Sequence, residues 1–319
     1  MKALITGGLG FIGSNLAHKL VSMDYDVTIL DAVMLDLGAN FFNIEEIKDK
    51  VNFVKGDVRN KKTIETAVKD KDIIFHFAGQ TDHLRSIEKP YEEVDMKING
   101  IISVLEACKK NNQQAKIIFS STRAVYGDSA NLPVNETSET NPKSMYAITS
   151  LAAEKILRMY QNLYGIRTTS LRLVNIYGPR HQMKRPYGVF NYFIKQALSK
   201  KPITVMGKGN IIRDFLFVGD VCDACIECMK NQRTDGEVLN VGSGKGTSFT
   251  ELANKIRQST GGEIKMIAYT QKLEQVEPGD FVADIAKIKK FTSWRPKTPL
   301  EGGIKNTVDF YRKNKKHYW

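Results

Sequence analysis

The first thirty-one residues constrain the fold more than any other stretch of the chain. Lys2 to Thr6 is an apolar run of strand character, and Gly7, Gly10 and Gly13 follow it at spacing three and three. Phe11, Ile12, Leu16, Leu20 and Val21 then recur at helical spacing, and a second apolar run, DVTILD, closes on Asp31. A strand, a glycine turn and a helix in this order require glycine for a tight bend, for backbone approach to a pyrophosphate and for close helix–strand packing. Phosphates at the start of that helix meet free amides and the positive end of its dipole. The acid at the end of the second strand makes the turn far more specific than its glycines alone. Asp31 accepts hydrogen bonds from both hydroxyls of an adenosine ribose and repels a 2′-phosphate, so the expected cofactor is NAD and not NADP. Gly7, Gly10, Phe11, Ile12, Gly13 and Asp31 are its expected contacts.

The same alternation continues. Ala32 to Asn43 reads as an irregular loop and Val51 to Val54 as a third strand, ending in Gly56-Asp57-Val58 with Asp57 placed for the adenine amino group. Lys61 to Val68 reads as helix, and Asp72 to Phe77 as a fourth strand running into Phe77-Ala78-Gly79. Strands alternating with helices at this pitch predict a parallel sheet with right-handed crossovers, whose ligands sit beyond the carboxyl ends of the strands. Asp57, Val58, Phe77, Ala78, Gly79, Gln80, Thr81 and Ser120 are therefore candidates for the cofactor, and Ser86 for a substrate. A long helix from about Val94 to Asn111, a strand Lys116 to Phe119, a helix from about Tyr146 to Tyr164 and a strand Arg167 to Leu173 complete this half. The two long amphipathic helices are expected to pair with a second copy as a four-helix bundle, burying Leu151 and Leu157. Beyond Asn175 the elements shorten: a helix Gly188 to Ser199, then strands Ile203 to Met206, Arg213 to Val218 and Val238 to Val241. The expected fold is α/β, a doubly wound parallel (Rossmann) sheet with a smaller C-terminal α/β substrate-binding domain. Residues 1–174, with about 211–240, form the NAD-binding part; 175–210 and 241–319 form the substrate-binding part.

Composition narrows the partners. The chain of 319 residues carries a net charge of +12, spread with its lysines, which suits an anionic substrate. No apolar run approaches a membrane span, and Met1 leads straight into a core strand, so a cytoplasmic protein is expected. There is no aromatic-interleaved basic stripe of the kind single-strand binders use, so nucleic acid is not an expected partner. Cys222, Cys225 and Cys228 show iron–sulfur spacing, but they fall on a helical apolar stripe with Val221 and Met229 behind an Asp220 cap. Buried thiols are the expectation, with no metal and no disulfide.

Seven motifs together resemble the extended short-chain dehydrogenase/reductase family of nucleotide-sugar epimerases and dehydratases: TGGLGFIG, FHFAG, FSSTRAVYG, SMYAITSLAAEK, RLVNIYGPR, RDFLFVGDV and NVGSG. The likeness runs along nearly the whole chain. It implies a nucleotide-diphosphate sugar as substrate, with a tyrosine phenolate taking a proton from a sugar hydroxyl while its carbon gives hydride to NAD. Tyr146 matches that tyrosine, which also contacts the cofactor, and Thr122 matches the hydroxyl that hydrogen-bonds the reacting oxygen. A phenol titrates near 10 and works as a base at neutral pH only beside a cation. The family supplies the cation as a lysine four residues after the tyrosine; here that residue is Ser150.

Two further departures accompany it. The family's N-V-x-G-T has its asparagine replaced by Lys97 in Asp95-Met-Lys-Ile-Asn-Gly100. Lys97 is expected to enter the pocket from the opposite helix and restore the ammonium that Ser150 lacks; the other reading is two unrelated drifts, with Lys97 in solvent and the site dead or slow. Lys155 faces away from Tyr146 on its helix. The family's R-P-G-D is here Glu277-Pro-Gly-Asp280, which removes an arginine from the nucleotide site. Arg213 and Asn175 remain as expected substrate partners with Asp280, and Arg180, Lys184 or Arg185 is expected to compensate. Arg123 and Ala124 stand where family dehydratases and decarboxylases place acids, which disfavours elimination and decarboxylation. The resemblance then implies an NAD-dependent 4-epimerase-like enzyme acting through a transient keto-sugar. The alternatives are a nucleotide-sugar dehydrogenase or keto-sugar reductase, and an inactive NAD-binding sensor or scaffold.

Overall fold

A computed structural model describes residues 1–128, 131–184, 188–268 and 279–319. Its strands are β1 (Lys2–Thr6), β2 (Asp26–Asp31), β3 (Val51–Lys55), β4 (Ile73–His76), β5 (Lys116–Thr122), β6 (Thr168–Leu173), β7 (Asn175–Tyr177), β8 (Ile203–Met206), β9 (Ile212–Phe217), β10 (Glu237–Val241), β11 (Gly246–Ser248) and β12 (Ile264–Ile267). Seven of them form one sheet in the order β10-β6-β5-β4-β1-β2-β3, every pair parallel. The strand order reverses between β1 and β4, and a doubly wound sheet opens a crevice at that point. Its central strands are buried on both faces, as the unbroken apolar run of Ala3, Leu4 and Ile5 requires.

One face of the sheet is covered by helices Phe11–Val21 and Val218–Lys230, the other by Lys61–Ala67, Gly100–Asn111 and Met145–Tyr164. Cys222, Cys225 and Cys228 lie buried and unpaired in the first of these layers. Asp220 does not cap their helix. It sits inside the first turn, where its carboxylate accepts from the amides of Lys297 and Thr298 and ties down a distant loop.

A second apolar cluster of Tyr177, Phe190, Phe193, Phe215, Phe249 and Tyr311 belongs to the smaller half, between the three-stranded sheet β11-β9-β7 and the β12-β8 pair. β9, which the sequence grouping places with the NAD-binding part, pairs here. This half is more regular than its sequence texture indicates: helices Phe249–Thr260 and Leu300–Tyr318 both pack on it. The expected irregular loop after Asp31 also gains structure, since Phe41–Lys50 winds as a 3₁₀ helix started by the Asn40 side chain accepting from Phe42 N.

The helix expected from Val94 starts a turn earlier, at Pro90, and changes pitch. Pro90–Val94 is α-helical, Asp95–Asn99 is a π-turn, and Gly100–Asn111 is α-helical again. Leu157, expected on a free face, is already buried in the protomer core, and Leu151 is partly buried. The exposed stripe of helix Met145–Tyr164 is instead Ile148, Met159 and Leu163.

That helix is pinned to the sheet by one buried group. Glu154 accepts two hydrogen bonds from the Arg172 guanidinium on β6, at 3.0 and 2.7 Å, and one from Ser121 on β5. Arg172 also lies over the Tyr126 ring. Both charged groups are about 95% buried or more, so removing one leaves the other uncompensated, which costs about 3–5 kcal/mol. Arg172→Met is predicted to lower the free energy of unfolding, measured by urea titration, by that much, whereas Glu154→Met/Arg172→Met recovers most of it; equal losses in the single and double variants would contradict the pairing.

Candidate active site

The main cleft opens at the carboxyl edge of the large sheet, along the β1/β4 switch point. Its floor is the glycine turn. Gly7 has φ of +72°, and a Cβ there would stand 2.9 Å from Ala78 N at the end of β4. A Cβ on Gly13 would stand 2.4 Å from Gly7 O, so any side chain at 13 pushes the helix off the turn. Gly10 starts helix Phe11–Val21 with no side chain on its first amides. Free amides and a bare backbone are what a pyrophosphate needs, and the residues present fit the phosphates of a dinucleotide.

Asp31 completes the adenosine end. Its carboxylate accepts from Leu9 N at 3.0 Å and Val33 N at 2.8 Å, which fixes it at the cleft wall. Burial pushes its carboxyl up from the ordinary value, and the two amides pull it back. Asp57 and Val58 line the same end, but Asp57 is engaged by Arg59, whose guanidinium holds its carboxyl below the usual range. Arg59, also bound to Asp95, is a cleft residue that the sequence did not single out. Phe77, Ala78, Gly79, Thr81 and Ser120 line the cleft beyond it, with Gly10, Phe11 and Ile12 on the floor.

At the deep end stand Thr122, Tyr146 and Lys97. Thr122 ends β5, where its hydroxyl accepts from Ala124 N beside the Tyr146 phenol. Tyr146 is placed by the Ser144 cap of its helix, whose hydroxyl accepts from Ala147 N and contacts His83 Nδ1 at 3.0 Å. The His83 ring packs edge-on to Tyr146. Enclosure pushes the phenol up to about 12, Thr122 draws it down, Glu93 raises it and Arg123 lowers it.

Lys97 comes from the facing helix, on the π-turn. It is 6% exposed, and its Nζ stands 4.6 Å from the centroid of the Tyr146 ring. A Cβ on Gly79 would be 3.5 Å from that Nζ, which puts the ammonium between the phenol and the end of β4. Ser150 does not reach this space. It is buried one turn beyond Tyr146, and its hydroxyl donates back to Tyr146 O at 2.7 Å.

The expected substrate residues divide. Asn175 lines the cleft and accepts from Arg123 Nε at 3.1 Å. Ser86 lies outside the cleft, fully buried, with its hydroxyl on His83 O. Arg180 reaches under the glycine helix to Asn43 O and Asn15 Oδ1 and over the Phe310 ring. Arg213 is buried, donating to Ile212 O and Gly279 O. Asp280 accepts from Ile212 N and so pairs the strand edge. Lys184 offers its carbonyl to Lys195. Glu277 and Arg185 lie outside the described residues. The cleft gains His181 and Asn191 on its second wall and His83 near Tyr146, and it keeps the expected Gln80. Sequence gave no signal for the histidines, which stand alone among dissimilar neighbours.

Three comparisons place this geometry. The model of the NAD dependent epimerase/dehydratase family matches residues 3–242. The chain is 35% identical over 312 residues, 98% of both sequences, to a putative UDP-glucose 4-epimerase of Methanocaldococcus jannaschii. Among solved structures it resembles the Thermotoga maritima UDP-glucose 4-epimerase with UDP-glucose at 30% identity and a TM-score of 0.90, covering 98% of this chain and 99% of that one. It also resembles the Thermus thermophilus UDP-glucose 4-epimerase in complex with NAD, at 29% identity and a TM-score of 0.87, covering 98% and 99%.

Asp31→Ala removes a charged acceptor worth about 1.5–3 kcal/mol. NAD affinity is predicted to fall about 10- to 150-fold by calorimetry while the melting temperature is followed alongside. Unchanged affinity would remove Asp31 from the cofactor site.

Proposed function

The chain belongs to the NAD dependent epimerase/dehydratase family, and on that premise we propose that it is a nucleotide-sugar 4-epimerase whose base is Tyr146 and whose activating cation is Lys97. The observation that carries this reading is the meeting of Thr122, Tyr146 and a buried ammonium at the deep end of a dinucleotide cleft. Bound over Gly7 to Gly13 and Asp31, NAD supplies reversible hydride acceptance, which makes a secondary alcohol of the sugar transiently a ketone open to return from either face.

The protein's own part is to hold and move one proton. Tyr146 takes it from the sugar hydroxyl, and Thr122 orients the oxygen that loses it. Lys97, when charged, stabilises the phenolate, since an opposite charge within about 4–6 Å draws such a pKa down by about 1–3 units. Arg123, held by Asn175, adds positive potential without an acid that expels water or carboxylate. The nucleotide diphosphate of the sugar fits the second wall at Asn175, His181 and Asn191, and the excess of basic residues favours its approach. The exposed stripe Ile148, Met159 and Leu163 supports a homodimer through helix Met145–Tyr164.

The test is inversion at C4. Incubated with NAD and UDP-glucose or UDP-N-acetylglucosamine, the protein is predicted to produce the C4 epimer, followed by NMR of the sugar. General acid–base groups contribute about 10²–10⁴-fold, so Tyr146→Phe and Lys97→Ala are each predicted to lower kcat within that range. NAD binding with no inversion of any nucleotide hexose would favour a sensor, and full activity of Lys97→Ala would leave Lys97 out of the chemistry.

A further inference from the structure

Lys97 is not alone on its helix. One turn before it, Glu93 is 1% exposed and holds its carboxylate toward the same space, with Oε1 4.0 Å from Lys97 Nζ. The carboxylate is itself fixed from two other elements: Thr149, on the helix of Tyr146, donates to Oε1 at 2.7 Å, and the Gln80 amide at the end of β4 donates to Oε2. Gln80 is held in turn, accepting from Asp82 N at 2.6 Å. A buried carboxylate with this many donors is fixed in place.

We infer that Glu93 is the positioning residue of this site: its buried carboxylate holds Lys97 as an ammonium against the face of Tyr146. The inference rests on the reading of Tyr146 and Lys97 given above and adds the group that makes it work. A lysine side chain this buried loses its proton readily unless a counter-ion stands beside it. Burial draws Lys97 down from its ordinary value, and Glu93 is the neighbour that raises it. At 4.0 Å the pair is a through-space one and not a hydrogen bond, so the N–H groups of Nζ remain for whatever enters the cleft. The π-turn Asp95–Asn99 carries Lys97 itself; such turns widen a helix by one residue and re-aim its side chains, frequently at functional sites. Glu93 and Lys97 therefore arrive as a unit, an acid and a base four apart on one helix.

The charges facing the unit are few and fix the sign of the test. Tyr146 faces Lys97 from its own helix, His76 from β4, His83 from helix His83–Glu88, and Arg123 from the turn after β5. His76 is pushed down to about 3 by burial and then by Lys97, and His83 to about 4 by its enclosure, then by Arg123, with Lys97 adding to it, so neither titrates between pH 5 and 10. Drawn back from about 12 by a charged Lys97, Tyr146 ionises to give the rising limb of the rate, and loss of the Lys97 proton gives the falling one. Removing the Glu93 charge makes both deprotonations easier, so both limbs of the kcat/KM profile move to lower pH.

The experiment uses the full chain with NAD and the nucleotide sugar it turns over. Glu93→Gln is expected to shift the alkaline limb down by one unit or more, and the acid limb by less, because the carboxylate lies nearer Lys97. Glu93→Asp keeps the charge and is expected to leave both limbs in place even where the rate falls. A lower rate in Glu93→Gln with unmoved limbs overturns the inference. NMR of lysine labelled with ¹³C at Cε gives a readout independent of turnover, with the Lys97 signal identified by its loss in Lys97→Met. In the parent protein Lys97 is expected to stay charged through pH 8, and in Glu93→Gln to titrate at least one unit lower. A neutral Lys97 at pH 7 in the parent overturns the inference whether or not Glu93→Gln folds. The NMR shift without sugar turnover would leave the inference standing and remove the epimerase reading instead.

Discussion

The deep end of the cleft depends on how one helix is held to the sheet. Glu154 fastens helix Met145–Tyr164 to β5 through Ser121 and to β6 through Arg172. Ser121 is the residue before Thr122, and Tyr146 lies two turns before Glu154 on the same helix. The tie thus fixes where Thr122 and Tyr146 stand relative to each other at the deep end of the cleft. Because the pair is buried, it contributes little net stability but is costly to break, and it admits few alternative arrangements. The active site inherits its precision from this contact.

The same helix explains why residue 150 is free to be serine. Ser150 sits one turn from Tyr146, and its hydroxyl returns to its own helix backbone. The space beside the phenol is filled from across the groove by Lys97, at the pitch change of the facing helix. Moving an ammonium between helices keeps the electrostatics of a phenolate while changing what must accompany it. A lysine on the π-turn is deeper than one at the cleft rim, so it comes with Glu93, and Glu93 comes with Thr149 and Gln80. Thr149, Gln80, Glu93 and Lys97 together hold one pair of charges in a dry place.

Much of this is legible in the sequence where the signal is local. The glycine turn and the alternation of strand and helix follow from spacing and periodicity within short windows, and the family resemblance adds Tyr146 and Thr122 as expected partners. The Glu93–Lys97 relation was within reach too, as an acid four residues before a lysine on a helix. What sequence does not give is set by contacts far along the chain. Arg180 and Arg213 read as phosphate partners because they are cationic, yet the fold uses them on backbone carbonyls. Helix Leu300–Tyr318 is obscured by Gly302-Gly303, which resembles a turn. The glycine at 303 is there for packing, since a Cβ would stand 2.1 Å from the Tyr177 hydroxyl.

The claim that the ammonium of this site has moved from position 150 to position 97 is tested most directly by moving it back. In the double variant Lys97→Ala/Ser150→Lys, turnover of the nucleotide sugar is measured against Lys97→Ala alone. Recovery of about tenfold or more, from a lysine one turn beyond Tyr146, is the result this account predicts. A double variant no faster than Lys97→Ala, with NAD still bound and the fold intact, would contradict it.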